Sequence, residues 1–364
     1  MTKIIGSPVR YIQGKDELRK LCSHAETIGQ HLFIIIDGAI KHIVEDSIVN
    51  SKEGTSVSIV IESFNGECSD QEITRIKEKM QENSSDVVVG VGGGKTIDTA
   101  KAVAYYAKVP VIVVPTIAST DAPCSALSVI YSNEGVFDRY LFLPSNPNIV
   151  VVDTEVISKA PVRLLIAGIG DALATYFEAR ACLRSNAINC VGGTTTKAAM
   201  ALAELCYETL LAKGVQAVEA VKQKVCTKAV EDIIEANTYL SGIGFESGGL
   251  AGAHAIHNGL TAIEATHKLY HGEKVAFGTL VQLVLENAPI EEIEQVIDLC
   301  QNVGLPTTLA DLNITEVKSE EIMEVAKLVC SPEDTIGNMP FEVTVEDVYA
   351  AIIGADSLGR YYKY

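Results

Sequence analysis

Through the first 160 residues, short β-branched runs alternate with helix-like stretches. The runs are Leu32 to Asp37, Ser58 to Glu62, Asp86 to Val91, Val111 to Pro115 and Asn148 to Asp153. They are apolar at consecutive positions, not alternate ones, which predicts strands buried on both faces, as in a parallel sheet. Between them, Ser69 to Glu72 (SDQE) reads as a capping box. It opens a helix that continues through Met80, with Ile73 and Ile76 on its apolar face. Lys95 to Lys108 is a second, alanine-rich helix. Strand, helix and strand with short links predict a wound α/β sheet. Ser128 to Leu143 breaks the pattern: SVIYS and FDRYLFL flank Asn-Glu-Gly, which predicts a β-hairpin.

The texture changes after Pro161, which reads as the first position of a long helix. From there strand-like runs almost vanish. Helical spacing marks Ala198 to Lys213, Val215 to Leu240, Glu291 to Val303 and Val345 to Leu358. The expected organisation is an α/β domain with a parallel sheet over residues 1–160 and an all-α domain over 161–364.

Composition narrows the function. Forty-seven acidic against 29 basic residues give a net charge of −18. That field repels phosphate backbones and argues against a nucleic-acid partner. The apolar runs are too short to span a membrane, the longest being broken by Pro110 and Pro115. The N-terminus lacks the apolar stretch and cleavage site of a signal peptide. Nine scattered cysteines, with no C-x-x-C pair, suit a reducing cytoplasm. Cytoplasmic localisation is therefore expected.

The segment from Val87 to Ala102, VVVGVGGGKTIDTAKA, is a strand, a glycine cluster and a helix. Glycines at such a turn let the backbone approach a phosphate, and the helix N-terminus offers free N–H groups. It is not a Walker loop, because Val89 stands where the first glycine belongs. It is not the standard Rossmann fingerprint either, because Lys95 replaces the last glycine. The competing reading is a turn that only packs. Asp37 closes a strand. There a carboxylate can accept ribose hydroxyls and repel a 2′-phosphate, or it can simply cap a turn.

Four of the seven histidines fall within 18 residues: His254, His257, His267 and His271. Such clustering suggests a metal. Spacing leaves the ligands open, since His254 and His257 are i, i+3 and His267 and His271 are i, i+4. His257 and His267 read better as packed or surface residues. His271 precedes Gly272, which allows a close backbone turn. Asp171 sits in an almost wholly apolar helix, where a lone charge is costly unless paired or bound to metal. It is the candidate carboxylate ligand.

Five segments then resemble a known group: GGGKTIDTAKA, PTIASTDAPCSALSVIY, GIGDALATYFEARA, AGAHAIHNGLTAI and YHGEKVAFGTLVQL. They resemble the glycerol-oxidising branch of the metal-dependent polyol and alcohol dehydrogenase superfamily, often named after its iron-containing members. The resemblance runs from about Ile4 to the last helix. It implies the dehydroquinate synthase-like, iron-type alcohol dehydrogenase fold: an N-terminal dinucleotide-binding α/β domain, a C-terminal helical metal-binding and catalytic domain, and a site in the cleft between them. By motif, the implied metal ligands are Asp171, His254 and His271. The implied cofactor residues are Asp37, Gly94, Lys95, Thr116, Ser119, Ser125, Leu127 and Tyr131. Asp121 falls where the family binds a substrate hydroxyl, and is implied in catalysis with the three metal ligands.

Iron-dependent relatives carry a further histidine one helical turn after the aspartate, where this chain has Thr175. Three protein ligands, one carboxylate and two imidazoles, fit one catalytic Zn²⁺ per subunit, with iron still possible. The implied reaction is glycerol plus NAD⁺ to dihydroxyacetone plus NADH, extending to related 1,2-diols, with hydride passing from carbon 2 to the nicotinamide. His257 is a weak candidate for a general base, and solvent is the default proton acceptor. Cys124 lies in the cofactor loop but has no histidine near it in sequence, and is not expected to be a nucleophile. The resemblance also implies a homo-oligomer, an octamer in the family.

Three rivals fare less well. A glycerol-1-phosphate dehydrogenase or a dehydroquinate synthase needs cations for phosphate, and the motif blocks carry few: Lys95, Arg139, Lys268 and Lys274. A non-catalytic NAD- or polyol-binding regulator would be expected to have an altered metal triad.

Overall fold

The computed structural model describes residues 1–363. They form two compact units. One comprises Gly6 to Ala160 with Gln223 to Cys226. The other comprises Met1 to Ile5, Pro161 to Lys222 and the chain from Thr227 onward.

The first unit is built on eight strands: β1 (Arg10–Gly14), β2 (His31–Asp37), β3 (Ser58–Phe64), β4 (Val87–Gly92), β5 (Val111–Pro115), β6 (Leu127–Tyr131), β7 (Phe137–Phe142) and β8 (Ile149–Asp153). Six form a parallel sheet in the order β1-β8-β5-β4-β2-β3. Strands β4, β5 and β8 are buried at every position, as continuous β-branched runs require. One face of the sheet contributes Ile34, Ile36, Val89, Val91, Ile112 and Val114 to a single core. The hairpin forms as expected: β6 and β7 pair antiparallel, with a bulge between Ile130 and Tyr131. Strand β1, RYIQG, has no apolar run. It lies at the sheet edge, only half-buried, so burial left little mark on its sequence.

The order in which strands are added reverses between β2 and β4. Strand β3 lies to one side of β2, while β4, β5 and β8 extend to the other. In open parallel sheets, ligands bind outside the carboxyl ends of the strands at such a switch point.

The helix after β3 spans Asp70–Glu82, with Ser69 accepting the Glu72 amide at 3.3 Å. The reciprocal half of the expected capping box is absent. The Glu72 carboxylate instead takes the Asn65 amide at 2.9 Å and the Arg75 guanidinium at 2.7 Å.

The second unit is helical. Its longest elements are Val162–Ser185 and Lys197–Lys222. Pro161 is the residue before the first of these helices rather than its first position. The expected break near Gly214 does not occur, and the helix runs through it. A side chain there would stand 3.2 Å from Leu299, so this glycine serves packing. The break falls instead at Gln223 to Thr227. There the Lys224 ammonium donates to the Lys159 and Ala160 carbonyls at 3.1 and 2.7 Å. The chain continues as Lys228–Glu235, a π-turn over Ala236–Leu240, and Ser241–Gly248. Among the described residues, no helix is long and apolar enough to cross a membrane.

The Ser69 cap gives a direct test. Ser69→Ala removes the acceptor for one free amide of the Asp70–Glu82 helix and should lower stability by about 1 kcal/mol. Urea denaturation checks this; an unchanged midpoint would mean that the Glu72 bonds hold the helix start by themselves.

Candidate metal centre and dinucleotide loop

Three helices of the second unit bring Asp171, His254 and His271 together. Asp171 lies midway along Val162–Ser185, His254 on Gly252–Leu260, and His271 opens His271–Leu285. The helices meet backbone to backbone. A Cβ on Gly272 would sit 1.8 Å from the Ala167 carbonyl oxygen, and one on Gly170 would sit 2.3 Å from the Gly272 oxygen. A Cβ on Gly278 would meet the Ala253 oxygen at 2.4 Å. Gly272 is therefore needed for close helix packing, not for the backbone turn its position suggested. Gly170 likewise lies inside its helix, where it serves the same close approach. Beneath the three candidate ligands, Ala174, Ala253 and Val275 form a small core of their own.

Asp171 Oδ1 lies 3.0 Å from His271 Nε2 and 3.6 Å from His254 Nε2. One ligand atom from each residue falls within 4.8 Å of the others. Tetrahedral zinc with bonds of about 2.0–2.1 Å holds its ligand atoms about 3.3–3.4 Å apart, so this donor set could hold such an ion. Thr175 contributes no ligand. It is fully buried, its hydroxyl 2.8 Å from Ser241 Oγ.

Both imidazoles are oriented through Nδ1. The buried Glu178 carboxylate lies 2.6 Å from His254 Nδ1 and also accepts the amides of Ala251 and His254 at 2.8 and 2.9 Å. His254 Nδ1–H donates to it, and Nε2 faces Asp171. His271 is set by a longer relay. Asn258 donates its amide to the Asp334 carboxylate at 3.1 Å, which turns its oxygen toward His257 Nδ1 at 3.1 Å. His257 Nδ1–H donates there, so its Nε2 accepts His271 Nδ1–H at 3.0 Å. Each candidate histidine ligand thus presents Nε2 to the same point, with its tautomer assigned from its partners.

The electrostatics agree. Burial alone would raise the Asp171 pKa, but the imidazoles of His271 and His254 hold it well below the carboxylate range. Burial opposes charge on His254, yet Glu178 and Asp171 push its pKa well above the usual value. Two buried carboxylates around these rings favour a cation. Burial, reinforced by His271 and Lys274, keeps His257 well below its usual pKa and hence neutral, as the relay requires.

His267 takes no part, lying exposed with Nε2 2.9 Å from the Thr261 carbonyl oxygen. It also shares no helix with His271, so their i, i+4 spacing puts them on no common face. Sequence reasoning missed Glu178. It stands two helical turns after Asp171 on the same apolar helix, and that periodicity was the available signal. The orienting role of His257 had no sequence signal.

The other candidate residues belong to the α/β unit. Asp37 ends β2 beside the switch point, one carboxylate oxygen accepting the Ala39 amide at 2.9 Å. This turn fixes the carboxylate at the carboxyl end of the strand. Strand β4 runs into Gly93, and a helix spans Gly94–Ala107. A Cβ on Gly90 would stand 2.5 Å from that of Ala100, so this glycine lets helix and strand close up, whereas Gly94 faces open space. Lys95 pairs with Glu67 at 2.5 Å and lies 5.2 Å from the centre of the Tyr131 ring. Thr116, just past β5, donates its amide to the Gly92 carbonyl at 3.1 Å. Asp37, Gly94, Lys95 and Thr116 therefore follow three adjacent strands at one end of the sheet.

Ser119, Asp121, Ser125, Leu127 and Tyr131 follow on the excursion after β5. Ser119 is half-buried; Asp121 is buried and precedes a short turn over Ala122–Cys124. Ser125 donates its hydroxyl to the Ala122 carbonyl at 3.2 Å. Burial pushes the Tyr131 hydroxyl up to about 12, so it stays protonated. Cys124 is fully buried.

Comparison with known proteins agrees with this reading of fold and class. Residues 8–154 match the iron-containing alcohol dehydrogenase family. The chain is 55% identical to a glycerol dehydrogenase of Pseudomonas putida over 362 residues, covering 100% of this chain and 99% of the relative. It is 54% identical to that of Citrobacter freundii over 360 residues, covering 99% of each. The crystal structure of glycerol dehydrogenase from Schizosaccharomyces pombe superposes with a TM-score of 0.95 at 40% identity, covering 99% of this chain and 91% of that one. The protein is an oxidoreductase of the metal-dependent, NAD-linked class. It belongs to the iron-containing alcohol dehydrogenase family, within which it resembles glycerol dehydrogenases over its full length.

The orienting role of Glu178 is testable. Glu178→Gln puts an amide against His254 Nδ1 and favours the tautomer protonated on Nε2, the nitrogen a metal needs. Zinc affinity should fall about 10- to 100-fold in chelator competition; wild-type affinity would leave Glu178 a packing role only.

Proposed function

We propose that this protein is an NAD- and zinc-dependent dehydrogenase that oxidises glycerol to dihydroxyacetone and acts on related 1,2-diols. The observation that carries this reading is the convergence of Asp171, His254 and His271, with both imidazoles aimed by their Nδ1 partners. Identity to glycerol dehydrogenases over the whole chain supports the substrate. Three ligands with a buried threonine at position 175 favour zinc over iron. The bound groups supply Lewis acidity at the alcohol oxygen, from zinc, and hydride acceptance, from NAD⁺.

The chain's own residues have distinct parts. Asp171, His254 and His271 hold the metal. Asp37 accepts the ribose hydroxyls and disfavours a 2′-phosphate. Gly94 and Lys95 meet the pyrophosphate, while Thr116, Ser119, Ser125, Leu127 and Tyr131 complete the cofactor site. His257 has both ring nitrogens committed, to Asn258 and His271, and serves to orient His271 rather than to accept the substrate proton. Solvent takes that proton.

A neutral polyol suits the charge pattern better than a phosphate ester. Lys95 is assigned to the cofactor, and Arg139 is already paired with Asp70 and Asp138. The α/β unit, Gly6 to Ala160 with Gln223 to Cys226, serves as the NAD-binding domain where residues 1–160 were expected, the helical unit serves as the metal-binding domain, and the assembly is a homo-oligomer.

The decisive assay is appearance of reduced nicotinamide on mixing the zinc-loaded protein with glycerol and NAD⁺. No turnover by the loaded protein would sink the reading. Asp121 provides a sharper test of substrate recognition. A carboxylate that accepts the second hydroxyl of the diol penalises a substrate lacking it. Asp121→Ala should therefore reduce kcat/KM for glycerol more than for 2-propanol. The expected differential is about 2–3 kcal/mol, roughly 30- to 150-fold, at saturating NAD⁺. Equal losses on both alcohols would instead assign Asp121 to loop or cofactor positioning.

A further inference from the structure

The helix that opens at the glycine loop carries a buried lysine and aspartate that the dehydrogenase reading leaves unused. The Lys101 side chain is wholly inaccessible to solvent, and Asp98 is nearly so. The ammonium lies 2.9 Å from Asp98 Oδ1. It also donates to the Ala122 and Ser125 carbonyls at 3.1 and 3.4 Å and closely to that of Leu127. Asp98 completes the set: its Oδ2 accepts the Val129 amide at 3.1 Å, and its backbone carbonyl accepts the Ser128 hydroxyl at 3.0 Å. An ammonium inside a protein is tolerated only when paired and fully hydrogen-bonded, and this one is. Nearly all its partners lie in the segment from Ala122 to Val129.

From this geometry we propose that Asp98 and Lys101 are positioning residues for the nicotinamide cofactor. They pin the loop from Ala122 to Val129 to the helix whose first turn meets the pyrophosphate. This inference rests on the cofactor reading above. Lys101 stands seven residues after Gly94, so the rigid helix sets the two anchor points about 10 Å apart. Ser125 and Leu127 present their carbonyls to Lys101, which fixes the backbone of two residues assigned to the cofactor. An apolar side chain at position 101 would leave three carbonyls without this donor and free the loop to move. A loop that reaches its binding-competent form only a fraction of the time weakens apparent affinity by that fraction.

A purely structural ion pair and a positioning pair respond differently to substitution. Lys101→Met alone strands the Asp98 carboxylate and should lower Tm sharply. The double variant Asp98→Asn/Lys101→Met removes both charges, so much of that loss should return while the carbonyls of the loop stay unpinned. The readouts are Tm, the NADH dissociation constant from nucleotide fluorescence, hydrogen exchange at Ser125 to Val129, and zinc content. The chain has no tryptophan to mask the nucleotide signal. The double variant should keep its zinc, exchange faster across the loop and bind NADH about tenfold or more weakly. Wild-type NADH affinity and loop exchange in the recovered double variant would overturn the proposal while leaving the cofactor reading intact. Failure of the wild-type protein to bind NADH would defeat the cofactor reading and the proposal with it. If the double variant does not fold, Asp98→Asn, which keeps an acceptor for the Val129 amide, decides by the same two readouts.

Discussion

The helical unit depends on one contact: two helices that touch through the bare backbones of Gly170 and Gly272. Each of these glycines is a chain neighbour of a candidate metal ligand, Asp171 in one case and His271 in the other. The clearance left for any side chain is far below van der Waals distance, so the approach cannot be reproduced with another residue without moving a helix. Gly278 closes the third side by letting the His271–Leu285 helix press on the Ala253 carbonyl, next to His254. The spacing of the three donors is therefore set by main-chain contact, with side-chain rotamers only completing it. Packed interiors transmit such displacements instead of absorbing them.

Given that spacing, the electrostatics follow. Asp171 and Glu178 are both buried, and two carboxylates in a low-dielectric interior require compensation. Without an ion the imidazoles provide it, which is why the His254 pKa lies high and that of Asp171 low. A divalent cation would provide it better: Asp171 and the Nε2 atoms of His254 and His271 would hold it, while Glu178 and the His257–Asn258–Asp334 relay keep the rings in place. The α/β unit solves the parallel problem with backbone. Glycines bring the Gly94–Ala107 helix onto the sheet, and a buried ammonium ties the following loop to that helix.

Much of this was legible in the sequence because it is written in burial. Strands β2, β4, β5 and β8 are covered on both faces and read as unbroken β-branched runs. Strand β1 carries no such mark, being a half-buried edge. Gly214 looked like a helix break because its propensity says so, yet contact with Leu299 overrides it. Among the site residues, a carboxylate in an apolar helix and a histidine cluster pointed to metal. Spacing alone could not choose among four histidines, since the choice is made by which helices touch. Glu178 was missed although its seven-residue spacing from Asp171 on the same apolar helix was there to read. Asp98 and Lys101, an i, i+3 pair on an alanine-rich helix, look like a solvated ion pair until tertiary packing shows them enclosed.

The account stands or falls on the glycine contact. Gly272→Ala places a Cβ against the Ala167 carbonyl, and the helix must withdraw by more than an ångström to admit it. The measurement is zinc affinity by chelator competition on the purified variant, with helical content followed by circular dichroism. The account predicts that the helices persist while zinc affinity falls at least a hundredfold, on the order of what a misplacement of one ångström costs a functional site. A variant that keeps its helices and binds zinc as tightly as the wild-type protein would contradict it.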